Sequence, residues 1–192
     1  MRVIAGEHGG RRLRTLAGRA LRPTQDRIRE SLFGVLGDEV AGARVLDLFA
    51  GSGALGIEAL SRGAAAAVFV DRDPRALAVI RRNLDDLRLT DRARILRGLL
   101  PADLKRVLSA HGPFDIILAD PPYRTLLARE TLVGLLTEPW FPGWRRLVVE
   151  TEREVDLTVV APAGVAADRR VYGDTAVVFL RPDANSIPRR DA

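Results

Sequence analysis

Residues 45–56 read VLDLFAGSGALG, and this stretch decides the fold. An apolar run typical of a buried strand ends at Phe49, a short turn with Gly51 and Gly53 follows, and a helical pattern starts at Ala54. The two glycines permit backbone angles and a close approach to a ligand that a side chain would block. The order strand, glycine turn, helix predicts a βα unit with a ligand-binding loop at the carboxyl end of its strand.

The rest of the chain repeats this alternation of strand and helix. Apolar runs predict buried parallel strands over residues 45–49, 66–70, 94–96, 114–119 and 147–150. Helical spacing predicts helices from an N-cap at Thr24 to Leu36, and then over 53–62, 75–88, 101–110 and 125–137. Two later runs, 169–172 and 175–180, flank Gly173-Asp174 and predict an antiparallel hairpin at one edge of the sheet. The predicted fold class is α/β, with a doubly wound and mostly parallel sheet.

The length of the chain predicts one domain with appendages. A chain of 192 residues that is 47% hydrophobic can bury one sizeable core. We expect a basic N-terminal arm or short hairpin over residues 1–22 that stays separate from this core. The main domain is expected over residues 23–181, including its leading helix, and a loose polar tail over 182–192.

Composition excludes several classes of chemistry. The chain has no cysteine and two histidines, so disulfides, thiolate nucleophiles and a metal centre are not expected. No apolar run reaches the length of a membrane span, and the first residues lack the apolar stretch of a secretory signal. We therefore expect a cytoplasmic protein without membrane contact, whose chemistry depends on carboxylates, the backbone and a bound cofactor.

Positive charge is concentrated near the N-terminus. Residues 1–35 contain eight Lys and Arg against three Asp and Glu, whereas the remaining residues contain 22 of each class. A basic segment on a neutral body is typical of a surface that binds a polyanion such as nucleic acid. An arginine-rich solvated leader would show the same charge pattern, so charge alone leaves both interpretations open.

The glycine loop fits two cofactors. Gly51, Gly53 and Gly56 match the dinucleotide fingerprint, and Asp71 lies twenty residues after Gly51, at the end of the next strand. Asp47 distinguishes the two, because a carboxylate at the end of the first strand would repel a pyrophosphate. The same carboxylate suits the positively charged methionine portion of S-adenosylmethionine. Asp71 would accept hydrogen bonds from ribose hydroxyls in either case, so a nicotinamide enzyme remains an alternative.

The second motif is Asp120-Pro121-Pro122-Tyr123, at the end of a later buried strand. Prolines restrict the backbone, so the Asp120 carboxylate and the Pro121 carbonyl can form a rigid pair of acceptors. Such acceptors suit the exocyclic amine of a nucleic-acid base, whose lone pair they can orient toward an electrophilic methyl group. We predict that Tyr123 stacks on a base that has left its own stack.

At this point the sequence resembles a known family, the bacterial 16S rRNA guanine-N2 methyltransferases that modify the head of the small subunit. The resemblance covers nearly the whole chain, and the N-terminal block is its most specific part. The matching motifs are RVIAG at 2–6, GRRL at 10–13, LRPTQDRIRESLF at 21–33, the two motifs above, and VYGDT at 171–175. The glycine loop and the Asp-Pro-Pro-Tyr motif also occur in DNA amino-methyltransferases.

The resemblance implies a Rossmann-like class I methyltransferase fold, with a mostly parallel seven-stranded sheet and an antiparallel terminal strand. It also implies S-adenosylmethionine as the methyl donor and 16S rRNA in the 30S subunit or an assembly intermediate as the substrate. We further expect the protein to be a monomer. The implied catalytic residues are Asp120, Pro121 and Tyr123. The implied cofactor-binding residues are Asp47, Ala50, Gly51, Ser52, Gly53, Asp71, Arg72, Gly98 and Leu99.

One position departs from related enzymes, which often have an acidic or polar residue after the third strand to bind adenine. Residues 95–100 read ILRGLL, so we expect backbone groups and apolar contact at Gly98 and Leu99 to serve instead. In the leading block, Ile28, Leu32 and Phe33 need only a packed helix as explanation. The polar residues left over are predicted to bind RNA, together with the arginines of the arm: Arg11, Arg12, Arg22, Thr24, Arg27 and Arg29.

Two further alternatives remain open from the sequence. A DNA amino-methyltransferase would use the same Asp120 motif, but no insertion between the βα units is large enough for a target-recognition region. The second alternative is a ribosome-assembly factor that has kept the methyltransferase fold but lost the chemistry. The intact acidic and glycine positions argue against this alternative.

Overall fold

A seven-stranded sheet lies at the centre of this computed structural model, which describes residues 1–16, 23–137 and 143–183. The spatial order of the strands is β3-β2-β1-β4-β5-β7-β6. The strands are β1 (Arg44–Leu48), β2 (Ala66–Asp71), β3 (Ala93–Arg97), β4 (Ile116–Ala119), β5 (Arg146–Glu152), β6 (Val165–Tyr172) and β7 (Thr175–Pro182). The first five run parallel, and β7 pairs antiparallel with both β5 and β6. This arrangement confirms the predicted fold class.

Five α-helices cover the two faces of the sheet in the described part of the chain. They are α1 (Pro23–Leu36), α2 (Ala54–Ser61), α3 (Pro74–Leu87), α4 (Leu104–His111) and α5 (Leu127–Thr137). Side chains alternate along each strand, so Val45 of β1 packs in the core under α1, α2 and α3, whereas Leu46 and Leu48 pack in the core under α4 and α5. Burial on both faces explains why the central strands are continuous apolar runs.

The observed bounds differ from the predicted ones by a few residues. The largest difference is at β6, which was predicted to start at 169 and starts at Val165. The helix α4 was predicted to start at 101 and starts at Leu104, because residues 101–103 form a turn. The predicted N-cap Thr24 is wrong by two positions, since α1 already begins at Pro23, where a proline is tolerated because the first amide needs no helical partner. The terminal hairpin is longer than predicted, and β7 continues to Pro182, the first residue of the expected tail. Most of that tail, residues 184–192, lies outside the described residues.

The N-terminal segment is packed against the domain, and the expectation of an arm separate from the core is wrong. A bridge between Arg2 and Arg12 closes a short hairpin, whose Val3 and Leu13 are buried in the same core as α1. The reason is Glu58 on α2, a buried carboxylate that accepts hydrogen bonds from the backbone amides of Ile4, at 2.7 Å, and Ala5, at 3.1 Å. The hairpin therefore has a fixed position against α2.

Gly6 explains how the hairpin approaches α2 so closely. Its φ is +82°, and a Cβ built on it would lie 2.0 Å from the carbonyl oxygen of Ser61. Only glycine fits both the backbone angle and the space.

Among the described residues, no helix has the length and apolar character that a membrane span requires.

Candidate active site

Two adjoining cavities open at the carboxyl ends of the parallel strands. The first lies between α1 and the ends of β1, β4 and β5, and its polar lining includes Asp47, Asp120 and Glu150. The second lies beside the ends of β2 and β3, and it is lined by Asp71, Gly98 and other residues. Phe49 and Asp120 line both cavities. A ligand at the ends of the strands is where a doubly wound sheet is expected to bind one.

The loop after β1 is held by two carboxylates. Asp47 accepts a hydrogen bond from the amide of Gly56 at 2.9 Å, and Asp71 accepts one from the amide of Gly51 at 2.8 Å. Gly53 has a φ of +79°, and a Cβ on Gly56 would lie 2.3 Å from Cε1 of Phe69. Gly51 and Gly53 therefore adopt a backbone conformation with positive φ that favours glycine, and the packing at Gly56 leaves no room for a side chain.

Asp47 is buried at the bottom of the first cavity, with 1% of its surface exposed. Burial raises the pKa of Asp47 to about 8, and the nearby Asp120 and Asp71 carboxylates add to this rise. Burial makes the ionised form of this carboxyl group unfavourable, and a cation in the cavity would offset that cost. This is the position at which the sequence analysis expected the methionine ammonium.

The second cavity brings together most of the remaining predicted cofactor residues. Asp71 accepts a second hydrogen bond, from the amide of Asp73 at 2.9 Å, and Arg72, Gly98 and Leu99 join it in the lining. Leu99 is 55% exposed, which makes it an apolar surface at the mouth of this cavity. Ala50 and Ser52, also predicted for the cofactor, line the first cavity instead.

Asp103 is a carboxylate near this cavity that the sequence analysis missed. Its Oδ2 accepts a hydrogen bond from the amide of Leu99 at 2.7 Å, and this contact lowers the pKa of Asp103. The sequence has no acid directly after the third strand, and Asp103 is brought back toward that strand by the turn that precedes α4. Because the Leu99 amide already donates to Asp103, it is not available to bind adenine in this arrangement.

The Asp-Pro-Pro-Tyr motif lies where the two cavities meet. Asp120 follows β4 and lines both cavities, and Pro121 is buried. The half-buried Tyr123 donates a hydrogen bond from its hydroxyl to Oε1 of Glu150 at 2.9 Å, and this hydroxyl lies 2.7 Å from Oγ1 of Thr175. The motif is therefore tied to two residues from later in the chain.

Glu150 and Thr175 were not predicted. Burial raises the pKa of Glu150 to about 8, and the charge of Asp120 adds to the rise. A signal for Glu150 was present in the sequence, because it follows the apolar run of β5 as Asp120 follows that of β4. Thr175 had no such signal, because the antiparallel pairing of β7 with β5 brings it to the site.

The residues predicted to bind RNA separate into three groups. Arg11, Arg12 and Arg27 are exposed, and Arg11 lies within 3.5 Å of the Asp86 carbonyl oxygen. Arg22 and the side chain of Thr24 lie outside the described residues. The remaining residue is Arg29, which requires a correction.

The prediction that Arg29 faces RNA is wrong, because only 4% of Arg29 is exposed. Its guanidinium donates to the Arg2 carbonyl at 2.6 Å and to Asp26 at 3.0 Å, and its Nε lies 3.8 Å from Glu58. Burial lowers the pKa of Arg29, an effect that the two acids oppose. Helical spacing could not show this burial, because Glu58 comes from another helix.

In the described ranges, histidines and acids form no cluster that could hold a metal ion. The cavities are instead lined by acids and by a glycine loop, which suits an organic cofactor that carries positive charge and hydroxyl groups.

Comparisons with known proteins agree with this geometry. The family model described as conserved hypothetical protein 95 matches residues 1–181. Ribosomal RNA small subunit methyltransferase D of Escherichia coli strain K12 is 38% identical over 186 residues, covering 96% of this chain and 91% of that protein. The solved structure of yhhF from Escherichia coli has a TM-score of 0.79 at 35% identity, covering 96% of this chain and 98% of that one.

A more distant structure, SMU.776, was solved in complex with SAH, the demethylated form of S-adenosylmethionine. It has a TM-score of 0.62 at 19% identity and covers 84% of this chain and 50% of that one, so it bears on the fold alone. The chain therefore belongs to the conserved hypothetical protein 95 family and has the fold of the S-adenosylmethionine-dependent methyltransferases.

Proposed function

We propose that this protein transfers a methyl group from S-adenosylmethionine to the exocyclic N2 amine of a guanine in 16S rRNA. The similarity to an rRNA methyltransferase supports methyl transfer to rRNA. The choice of an exocyclic amine as the target rests on Asp120, which lies where the two cavities meet. A carboxylate at that point can accept a hydrogen bond from an amine that enters the first cavity, beside a cofactor whose methionine portion would reach Asp47 there and whose ribose would reach Asp71 in the second cavity.

The residues present fit S-adenosylmethionine. The glycine loop leaves room for close backbone contact, and Asp71 has carboxylate oxygens for the ribose hydroxyls. Asp47 would be the partner of the methionine ammonium, because its burial makes a nearby cation favourable. When bound, S-adenosylmethionine supplies a methyl group on a positively charged sulfur.

Asp120 acts on the amine by hydrogen bonding. An exocyclic amine is a poor nucleophile because its lone pair is delocalised into the ring. By accepting from an amine hydrogen, with the Pro121 carbonyl as the second acceptor, Asp120 favours a nitrogen whose lone pair points away from the ring. The amine proton becomes acidic only as the new bond to nitrogen forms, so orientation and charge contribute more than a strong base would.

The substrate surface is assigned to the arginines that the structure leaves exposed. Arg11, Arg12 and Arg27 lie on the hairpin and on α1, which both contribute residues to the first cavity. Arginine binds phosphate by charge and by paired hydrogen bonds. We place the reaction on the 30S subunit or an assembly intermediate, and therefore in the cytoplasm.

Transfer of a labelled methyl group tests this function. The wild-type protein and Asp120→Asn would be incubated with labelled S-adenosylmethionine and 30S particles from a strain that lacks the modification, with 50S particles and duplex DNA alongside. We expect the wild-type protein to transfer methyl groups to 30S particles alone. The rate of transfer should fall at least 100-fold in Asp120→Asn, since loss of one preorganised polar contact costs roughly that factor. Asp168→Asn on exposed β6 is the matched control and should retain full activity.

The other outcomes distinguish the alternatives. Transfer to duplex DNA would support the DNA amino-methyltransferase, and binding to 30S particles without transfer would support the assembly factor. Full activity of Asp120→Asn would show that Asp120 is not the acceptor for the amine.

A further inference from the structure

We propose that Glu150 selects guanine by accepting a hydrogen bond from the N1–H group of the base, beside the N2 amine held by Asp120. This inference rests on the proposed function and assigns to Glu150 a role in specificity. Three features support this role: the position of Glu150, the orientation of its carboxylate, and the pattern of donors on the edge of guanine.

Position comes from the register of two central strands. β4 and β5 are parallel, and Ala119 is paired with Val149, so Asp120 and Glu150 are the next residues on two adjacent strands. Both side chains line the first cavity, and the charge of Asp120 contributes to the raised pKa of Glu150. Two carboxylates thus face the same space from neighbouring strand ends.

Orientation comes from a short chain of hydroxyl groups. Tyr123 donates its hydroxyl hydrogen to Oε1 of Glu150, at 2.9 Å, so the hydroxyl of Thr175, 2.7 Å away, must donate to Tyr123. Among the side chains and backbone amides that the structure describes, none donates a hydrogen bond to Oε2 of Glu150. The chain of hydroxyls fixes Oε1 and leaves Oε2 for a ligand in the cavity.

The chemistry of this pair of acids fits guanine among the four bases. The Watson–Crick edge of guanine presents two adjacent donor groups, N1–H and the N2 amine, which two neighbouring carboxylates can accept. Burial and the charge of Asp120 raise the pKa of Glu150 to about 8 in the empty site, and donors from guanine favour its ionised form. Adenine and cytosine present a ring nitrogen acceptor next to their amine, and its lone pair would be repelled by that ionised carboxylate. A buried pair of like charges is costly, and donors from the base would offset that cost.

A merely structural role for Glu150 would be to hold Tyr123. The variant Tyr123→Phe separates the two roles, because it removes the hydrogen bond between the side chains but keeps both the ring and the Glu150 carboxylate. If Glu150 serves only to position Tyr123, Glu150→Gln should behave like wild type, because its amide oxygen still accepts from the tyrosine, and neither variant should alter which base is preferred.

The test uses 2-aminopurine, which has the N2 amine of guanine but an unprotonated N1. Semi-synthetic 16S rRNA with guanine or 2-aminopurine at the target position would be assembled into 30S particles, and kcat/KM would be measured by competition. We expect wild type to prefer guanine by roughly 10- to 100-fold, the discrimination expected of a good base contact. In Glu150→Gln, Tyr123 keeps the amide oxygen turned toward itself, so the amide NH₂ faces the base and the preference should shift toward 2-aminopurine by at least 10-fold.

The controls separate failure of this inference from failure of the proposed function. Titration with S-adenosylmethionine should give the same affinity for Glu150→Gln as for wild type, which verifies folding, and Tyr123→Phe should keep the preference for guanine. A wild-type enzyme that methylates guanine and 2-aminopurine equally would overturn the role of Glu150, as would an unchanged preference in Glu150→Gln. No methylation of the guanine particle by wild type would instead refute the proposed function.

Discussion

At the scale of single residues, the site is defined by acids that follow buried strands. Asp47, Asp71, Asp120 and Glu150 lie at or near the carboxyl ends of β1, β2, β4 and β5, where the parallel sheet brings strand ends together. The cost of placing them so close is visible at Asp47 and Glu150, whose pKa values are both raised to about 8. These residues lower the stability of the empty site, and the cation and the base that we propose as ligands would offset this cost.

Asp47→Asn should separate stability from cofactor binding. Cofactor affinity is expected to fall roughly 5- to 100-fold, which corresponds to the loss of a charge-assisted hydrogen bond of about 1–3 kcal/mol. Because the folded-state pKa of Asp47 is raised, the folded protein binds this proton more tightly than the unfolded chain does. Its contribution to stability is present at low pH and is lost as the pH rises toward about 8.

Asparagine does not titrate, so the difference in melting temperature between Asp47→Asn and wild type should move in favour of the variant between pH 5 and pH 8.5. Thermal melts across this range and isothermal titration with S-adenosylmethionine measure the two effects. An equal shift at every pH, or unchanged affinity, would contradict the role given to Asp47. The surface variant Asp168→Asn is the control for both measurements.

Sequence reasoning found three of these four acids, because each belongs to a recognisable motif. Glu150 was missed although its local pattern is similar, since no glycine loop or proline pair marks it. Arg29 was misassigned because its partner Glu58 lies on another helix. Contacts between residues distant in the chain are what the spacing along one element cannot reveal.

At the scale of elements, the turn from β1 into α2 depends on glycine at a packed helical position. Glycine inside a helix normally costs up to about 1 kcal/mol relative to alanine. At Gly56 that cost is accepted, because a Cβ would lie 2.3 Å from the Phe69 ring and 3.1 Å from Oδ2 of Asp47. The sequence predicted the turn correctly, but the ring that excludes a side chain comes from β2.

Gly56→Ala should therefore destabilise the protein by roughly 1–3 kcal/mol through overpacking, and it should also weaken cofactor binding. The matched control is Gly34→Ala in α1, where a Cβ meets no atom within 4 Å. That change should stabilise the protein by about 0.4–1 kcal/mol. Urea denaturation of both variants measures the difference, and a shift of the same sign in both would contradict the packing described for Gly56.

At the scale of the whole molecule, the basic N-terminal segment is part of the folded domain. Its charge predicted a surface for nucleic acid, but the burial of Val3 and Leu13 and the contacts of Glu58 with the hairpin could not be foreseen from charge or alternation. Since α1 also supplies Ile28, Leu32 and Phe33 to the core, removal of residues 1–35 would expose that core. Because the hairpin and α1 are both packed into the core, the exposed arginines on them keep a fixed distance from the site.

The central claim is that the methyl group goes to an exocyclic amine of guanine, and the identity of the modified nucleoside tests it most directly. After reaction with 30S particles and labelled S-adenosylmethionine, the 16S rRNA would be digested to nucleosides and analysed by mass spectrometry against standards. We predict N2-methylguanosine as the labelled product, since Asp120 and Glu150 both line the first cavity, where two acceptors would meet the two donors of the guanine edge. Label in a ring-nitrogen methylguanosine, in a methylated adenosine or cytidine, or on a ribose hydroxyl would contradict the account.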